Sequence, residues 1–309
     1  MTMPRTRRPA PLRRTWMFVP GLDAAAQAAG LAGGADALVA DLEEFTAPAD
    51  RPLARPRIAA LFAECRARGV VAAARINKLE EDGLDDLRGI MPGAPDAVLL
   101  PHAESAAQIA ALDRAISALE AESGLPPGST EIVPTLESAL GLYRAYDILS
   151  ASPRVSACLL AAEDLSASLG AERGRDGIEL HAARARFLVD CIAAGRVPID
   201  CPFNYRDPGA LEADLRWARR VGFKSKCATV AGQVPLIHRA FTPDAAEVEA
   251  ARACVAAFEA QRAGQAGGPR VDAPDYNTAR RLLARHAQFE AWTAAQQQGA
   301  AAQSHGDSA

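Results

Sequence analysis

Acidic residues stand where apolar runs of this 309-residue chain stop. Asp41-Leu42-Glu43-Glu44 follows the run Ala37–Ala40, Glu137 follows Glu131–Thr135 by two residues, and Glu163-Asp164 comes directly after Ala157–Ala161 and Ala162. Arg75-Ile76-Asn77 ends another run. Carboxylates brought together repel each other unless a cation lies between them. Oxygen-only ligands favour a hard cation, and a site with few protein ligands and several waters or substrate oxygens suits Mg²⁺ better than Ca²⁺. Zinc is disfavoured, because His102, His181, His238, His286 and His305 form no pair at ligand spacing. Any one of these carboxylates could be a helix N-cap or a surface ion pair. Their combination argues for a site.

Arg75 has a planar fork that matches the two oxygens of a substrate carboxylate, and it could equally bridge to Glu43 or Glu44 on the neighbouring strand. Only Lys78, Lys224 and Lys226 are lysines among the 34 basic residues. Lys226, read at the end of the eighth run, is the lysine positioned for an imine, but a metal site makes an imine unnecessary and a salt bridge within the barrel is the favoured reading. His102, which ends the fourth run, reads as a polar barrel-end residue rather than a base.

These groups converge only if the runs are strands of one sheet. Eight short apolar runs are present: Trp16–Val19, Ala37–Ala40, Val70–Ile76, Ala97–Leu100, Glu131–Thr135, Ala157–Ala161, Pro198–Cys201 and Gly222–Cys227. Helical stretches separate them, such as Ser105–Glu122 with Ile109, Leu112, Ile116 and Leu119 at 3-to-4 spacing. Eight strands alternating with helices close a (β/α)₈ TIM barrel, whose reactive groups come from the C-terminal strand ends. The rival open sheet lacks a GxGxxG after an early strand. Two further helical patterns, Asp244–Arg262 and Pro274–Gln288, form a C-terminal extension joined through Gly264–Gly268. The expected organisation is a disordered basic leader over 1–13, a barrel over 14–243, a helical lid over 244–290 and a disordered tail over 291–309.

Apolar residues at 49% and charged residues at 23% are ordinary globular usage, and no apolar run approaches the ~18–20 residues that span a bilayer. The net charge of −4 gives no general attraction to nucleic acid. The N-terminal stretch has no apolar core, so it does not read as a secretory signal, and the scattered cysteines read as buried thiols of a reducing, cytoplasmic compartment.

Together these stretches resemble the citrate lyase β-subunit and malyl-CoA lyase family of the HpcH/HpaI aldolase superfamily. The resemblance runs from about Arg14 to Leu283. It rests on Trp16–Gly21, Asp41–Glu43 with Ala47-Pro48, Arg75–Asn77, Pro134–Glu137, Ala162–Leu165 with Leu169-Gly170, and Val271–Pro274. It implies a Mg²⁺-dependent carbon–carbon lyase that cleaves or forms a β-hydroxyacyl thioester, giving a 2-oxo acid and an acyl-CoA or acyl-carrier thioester. Glu137 and Asp164 would hold the metal, with Glu137 also facing the substrate, and Arg75 would bind the oxo-acid. Glu43 would act with Arg75, and Asp272 would move a proton from a C-terminal lid, in a homotrimer or hexamer.

The chain departs from its relatives at Leu100-Pro101-His102, where they carry Leu-Pro-Lys. It departs again at Thr229-Val230-Ala231-Gly232-Gln233, where they carry Ile-His-Pro-x-Gln, and at Glu44, where they carry Asp. The lost lysine and the lost His-Pro pair bear on the thioester end. They keep open a CoA-independent class II aldolase acting on pyruvate or other 2-oxo acids, and a non-catalytic barrel subunit of a larger complex.

Overall fold

The computed structural model describes residues 7–265 and 268–306, and divides the chain into one compact unit through Phe241 and a second from Thr242 onward. In the first unit eight parallel strands lie in the order β7-β6-β5-β4-β3-β2-β1-β8. They are β1 (Thr15–Pro20), β2 (Ala37–Asp41), β3 (Val71–Arg75), β4 (Ala97–Leu100), β5 (Glu131–Leu136), β6 (Ala157–Leu160), β7 (Val197–Ile199) and β8 (Lys226–Ala228). The ring closes just past β7, where Asp200 pairs with Lys226: the Cys227 amide donates to Asp200 O at 3.0 Å and the Asp200 amide to Ser225 O at 2.9 Å. The architecture is the expected (β/α)₈ barrel.

Parallel strands covered on both faces must be apolar on both, which is why they read as unbroken apolar runs. Alternation sends Trp16, Phe18, Val39, Ala73, Leu99, Val133, Leu159 and Cys227 into the barrel interior. Met17, Val19, Leu38 and Ala74 pack outward in the cluster beneath the surrounding helices. Those helices are α1 (Ala24–Ala32), α2 (Arg51–Ala67), α3 (Leu84–Ile90), α4 (Ala106–Glu122), α5 (Ala139–Tyr143), α6 (Ala145–Ser150), α7 (Glu163–Leu169), α8 (Ile178–Ala193), α9 (Pro208–Val221) and α10 (Val234–Phe241). Ser105 caps α4 in a reciprocal capping box with Gln108, so the amphipathic pattern starts where the sequence says it should.

Two expectations change in this unit. The leader is ordered from residue 7, while residues 1–6 lie outside the described part. Arg13 is 1% exposed and pairs with Glu131 through two nitrogens at 2.6 and 2.9 Å, and Arg7 donates to the carbonyls of Asp96 and Ser129. Basic side chains that read as a solvated tail are counterions for acids at the N-terminal rim of the sheet. The eighth strand also starts later than its apolar run, at Lys226, because Gly222, with φ +131°, ends α9 before the chain turns into the sheet.

The second unit is a helical hairpin, α11 (Ala245–Arg262) against α12 (Ala273–Gly306). Asp244 and Glu247 form a capping box on α11, and Phe258 stacks on Tyr276 with ring centroids 4.3 Å apart. Helix α12 runs through the stretch expected to be unstructured, as far as Gly306; residues 307–309 lie outside the described part. Ala and Gln are strong helix formers, so a segment without an apolar stripe can still continue a helix begun upstream.

Candidate active site

The C-terminal ends of β2, β3 and β5 carry the charged core of the site. Asp41 and Arg75 are partners in the β2–β3 register and are the last inward residues of their strands. The Arg75 Nε and Nη2 donate to the two oxygens of Asp41 at 2.8 and 2.5 Å, and Nη2 also donates to Glu44 at 3.0 Å. Its Nη1 lies 3.0 Å from a Glu43 oxygen. The guanidinium stacks over Phe18 at 5.1 Å and near Phe45 at 5.9 Å. Burial alone would lower the Arg75 pKa, but the Asp41 carboxylate outweighs it and fixes the positive charge.

The two-pronged grip of Arg75 is therefore spent on Asp41, a residue that the sequence reading left without a role. This corrects the expected bidentate hold on substrate: Nη1, shared with Glu43, is the nitrogen free to turn to a ligand. The signal was available, because Asp41 and Arg75 sit at matching positions on adjacent strands. Asp41 also accepts the Glu43 and Phe45 amides at 3.0 and 3.1 Å and so shapes the loop carrying Glu43 and Glu44. Gly21 belongs to the same knot: a Cβ there would lie 2.8 Å from the Thr46 hydroxyl that accepts its amide and donates to Asp41 O.

Glu137 follows β5 at an inward position and is 3% exposed. Burial pushes its carboxyl up to about 8, against the His102 amide and the Arg75 charge, and the Asp164 carboxyl within hydrogen-bonding reach adds to the rise. Asp164 comes from the first turn of α7, after the neighbouring strand β6. The two expected metal ligands are thus brought together. Burial likewise raises the Glu43 carboxyl, partly countered by Arg75.

His102 does more than terminate a strand. Its amide donates to Glu137 at 3.2 Å, Nδ1 lies 3.5 Å from Glu137 and Nε2 3.8 Å from Glu43, so the ring bridges the two acids. It holds a left-handed backbone, φ +48°, which a non-glycine residue adopts at a cost.

Lys226 is not at the mouth. It is the first residue of β8 and its side chain points to the helix layer, where Nζ meets Asp200 at 2.7 Å and Asp214 at 2.8 Å beside Arg184. Burial would lower its pKa, but those two carboxylates raise it, so the amine stays charged. Asp272 lies in the C-terminal unit, where it caps α12 by accepting the Asp275 amide at 2.9 Å.

A cavity of about 620 Å³ opens above these groups. Arg75, Thr135, Glu137 and Asp164 line one side; the other is formed by the loop after β7, including Phe203 and Tyr205, and by Val230 and Leu236. Arg75, Thr135, Glu137 and Asp164 therefore share a space with an opposite wall that includes Phe203, Tyr205, Val230 and Leu236.

The sequence profile of the HpcH/HpaI aldolase/citrate lyase family matches residues 14–231. The citrate lyase subunit beta of Escherichia coli (strain K12) is 32% identical over 281 residues, spanning 88% of this chain and 93% of that protein. The L-malyl-CoA/beta-methylmalyl-CoA lyase of Rhodobacter capsulatus is 31% identical over 296 residues, spanning 85% and 90%. Among solved structures, CitE from Mycobacterium tuberculosis in complex with magnesium, acetoacetate and coenzyme A aligns with a TM-score of 0.70 at 28% identity, covering 88% of this chain and 97% of that one.

Proposed function

The chain belongs to the HpcH/HpaI aldolase/citrate lyase family, and on that premise we propose that it is a Mg²⁺-dependent lyase that cleaves or forms a β-hydroxyacyl-CoA at the mouth of its barrel. The products of cleavage would be a 2-oxo acid and an acyl-CoA. The observation that carries this reading is the Glu137–Asp164 carboxylate pair beside Arg75 in one cavity. Its relatives include lyases of citrate and of malyl-CoA, and a solved relative is described with magnesium and coenzyme A.

The donor set fits the metal. Glu137 is buried with the carboxyl of the exposed Asp164 within hydrogen-bonding reach; burial first, and then that neighbouring acid, raises the Glu137 carboxyl, and a hard divalent cation would relieve the crowding. No group of three or more His, Cys, Asp or Glu able to hold a metal occurs among the described residues. Two protein ligands with water and substrate oxygens completing the shell is the arrangement Mg²⁺ prefers.

When bound, Mg²⁺ supplies positive charge against the oxygen on which negative charge develops during carbon–carbon cleavage. The residues do the rest. Arg75 turns Nη1 toward the carboxylate of the oxo acid, held in place by Asp41 and backed by Glu43 and Glu44. His102 fixes the Glu137 and Glu43 carboxylates relative to each other. Phe203, Tyr205 and Leu236 exclude water from the acyl end. Asp272, delivered from a neighbouring copy in a homo-oligomer, would give a proton to the α-carbon of the acyl thioester as the carbon–carbon bond breaks, and take it back in the condensing direction. No described helix is long and apolar enough to cross a membrane, and a cytoplasmic enzyme acting on acyl-CoA is the setting that goes with this reading.

Calorimetric titration with oxaloacetate, glyoxylate and pyruvate, with and without Mg²⁺ and acetyl-CoA, tests the proposal. Metal-dependent binding that tightens with acetyl-CoA supports the thioester lyase. Binding indifferent to acetyl-CoA supports the CoA-independent aldolase, a reading favoured by the exposed Val230 at the acyl end of the cavity, where relatives carry His-Pro. Absence of all binding sinks both.

A further inference from the structure

Thr135 lines the cavity, and no described residue uses its hydroxyl. Val133 points into the barrel core, and two-residue alternation along β5 therefore aims Thr135 and then Glu137 into the same space. Thr135 is 1% exposed, lines the cavity, and its Oγ1 has no hydrogen-bond partner among the described residues. Three hydroxyls on neighbouring segments are satisfied within the protein: Thr46 donates to Asp41 O, Ser166 to Ala162 O and Ser138 to Glu104.

A buried hydroxyl without a partner is unfavourable, and valine would give the same shape and the same strand preference without that cost. Phe18, Leu159 and Cys227 line the floor beside it and offer no oxygen acceptor from their side chains. Those side chains leave the Thr135 hydroxyl available to an acceptor on a ligand that enters the cavity. Arg75, whose Nε and Nη2 are committed to carboxylates of its own protein, lines the same cavity and can give a ligand little more than one nitrogen. A carboxylate held from that direction keeps lone pairs for a second, neutral donor.

We propose that the Thr135 hydroxyl donates to a carboxylate oxygen of the 2-oxo acid and, with Arg75, positions that acid for reaction. The inference rests on the lyase reading and adds to it a residue that selects for an oxygen, rather than an apolar group, at the cavity floor. Thr135 is a positioning residue, and it holds its place without any charge of its own.

The test compares wild type, Thr135→Val and Thr135→Ser by calorimetric titration with pyruvate in the presence of Mg²⁺, alongside thermal denaturation without ligand. Thr135→Val should weaken pyruvate binding by ~10–100-fold, the range for one hydrogen bond to a charged group. Its melting temperature without ligand should stay close to that of wild type, because no hydrogen bond to a described residue is lost. Thr135→Ser should bind within a few-fold of wild type, and in turnover Thr135→Val should raise KM more than it lowers kcat. Equal affinity of wild type and Thr135→Val overturns the assignment alone, as does a Thr135→Ser that binds as weakly as Thr135→Val. A wild type that binds no 2-oxo acid overturns it together with the lyase reading.

Discussion

Asp41 and Arg75 face each other in register on neighbouring strands, and the carboxylate takes two guanidinium nitrogens at 2.8 and 2.5 Å. Both are buried, so removing the acid leaves a charge inside the barrel mouth with only the more exposed Glu43 and Glu44 for company. Breaking one partner of such a pair typically costs about 3–5 kcal/mol. Asp41→Asn should lower the melting temperature by several degrees and cut kcat/KM by more than tenfold. A variant with wild-type melting and turnover would mean that Glu43 and Glu44 suffice to hold the arginine.

Ligand binding to the folded state alone raises its apparent stability, so the wild type should melt at a higher temperature as Mg²⁺ is added. Glu137→Gln keeps the shape but removes the charge that a cation needs. That variant should lose the Mg²⁺-dependent rise and fall by ~10²–10³-fold in turnover, the usual effect of losing one charge stabiliser. Differential scanning fluorimetry over a Mg²⁺ series, after chelator treatment, reads the first effect directly.

An imine would require a neutral amine in the cavity, whereas Lys226 is charged and faces the helix layer between Asp200 and Asp214. Borohydride added with pyruvate should therefore leave the intact mass unchanged. Lys226→Met should reduce stability, by about 3–5 kcal/mol in chemical denaturation, since Asp200 and Asp214 would then share Arg184 alone. A borohydride-dependent mass increase located at Lys226 would contradict the metal-based chemistry.

Asp272 caps α12, so its replacement has a structural effect that must be separated from a catalytic one. Asp272→Asn retains an N-cap and should change melting little. If the carboxylate moves a proton during turnover, the same variant should lose kcat by ~10²-fold or more while still binding pyruvate and Mg²⁺. Unaltered kcat would assign the proton to another group.

Far from the mouth, Glu120 accepts the Gly128 and Thr130 amides and pairs with Arg154. Burial by itself would raise its carboxyl, but Arg154 and the two amides outweigh it and bring it down to about 2. A carboxyl depressed in the folded state stabilises above its unfolded value, near ~4.3, and that contribution drains away as pH falls toward the folded value. Melting temperature should accordingly drop between about pH 4 and 2, and Glu120→Gln should flatten this part of the profile while lowering stability at neutral pH.

The barrel was legible because parallel strands buried on both faces must be apolar throughout, and eight such runs recur at helix-length intervals. The nearness of Glu137 and Asp164 was legible from the same runs, since Glu137 directly follows β5 and Asp164 lies in the first turn of the helix after the adjacent β6. What escaped was set by side-chain direction and register. Lys226 looked like a strand-end residue because the run Gly222–Cys227 begins earlier than β8, and an apolar run does not say where hydrogen bonding starts. Asp41 was overlooked beside Glu43 and Glu44, although only Asp41 is in register with Arg75. The role of His102 depends on its left-handed backbone, which no residue type announces. Arg7 and Arg13 read as tail because their acids, Asp96 and Glu131, are more than 80 positions away.

The two walls of the cavity are built from different material. Arg75, Thr135 and Glu137 stand on or next to barrel strands, tied by register to the rest of the ring, while Phe203, Tyr205 and Val230 hang on connecting loops. The second wall is mixed: Phe203 is buried in the core beneath the helices, whereas Val230 is exposed. The shape of that wall can therefore be altered at exposed loop positions such as Val230 without disturbing the strands that carry Arg75, Thr135 and Glu137.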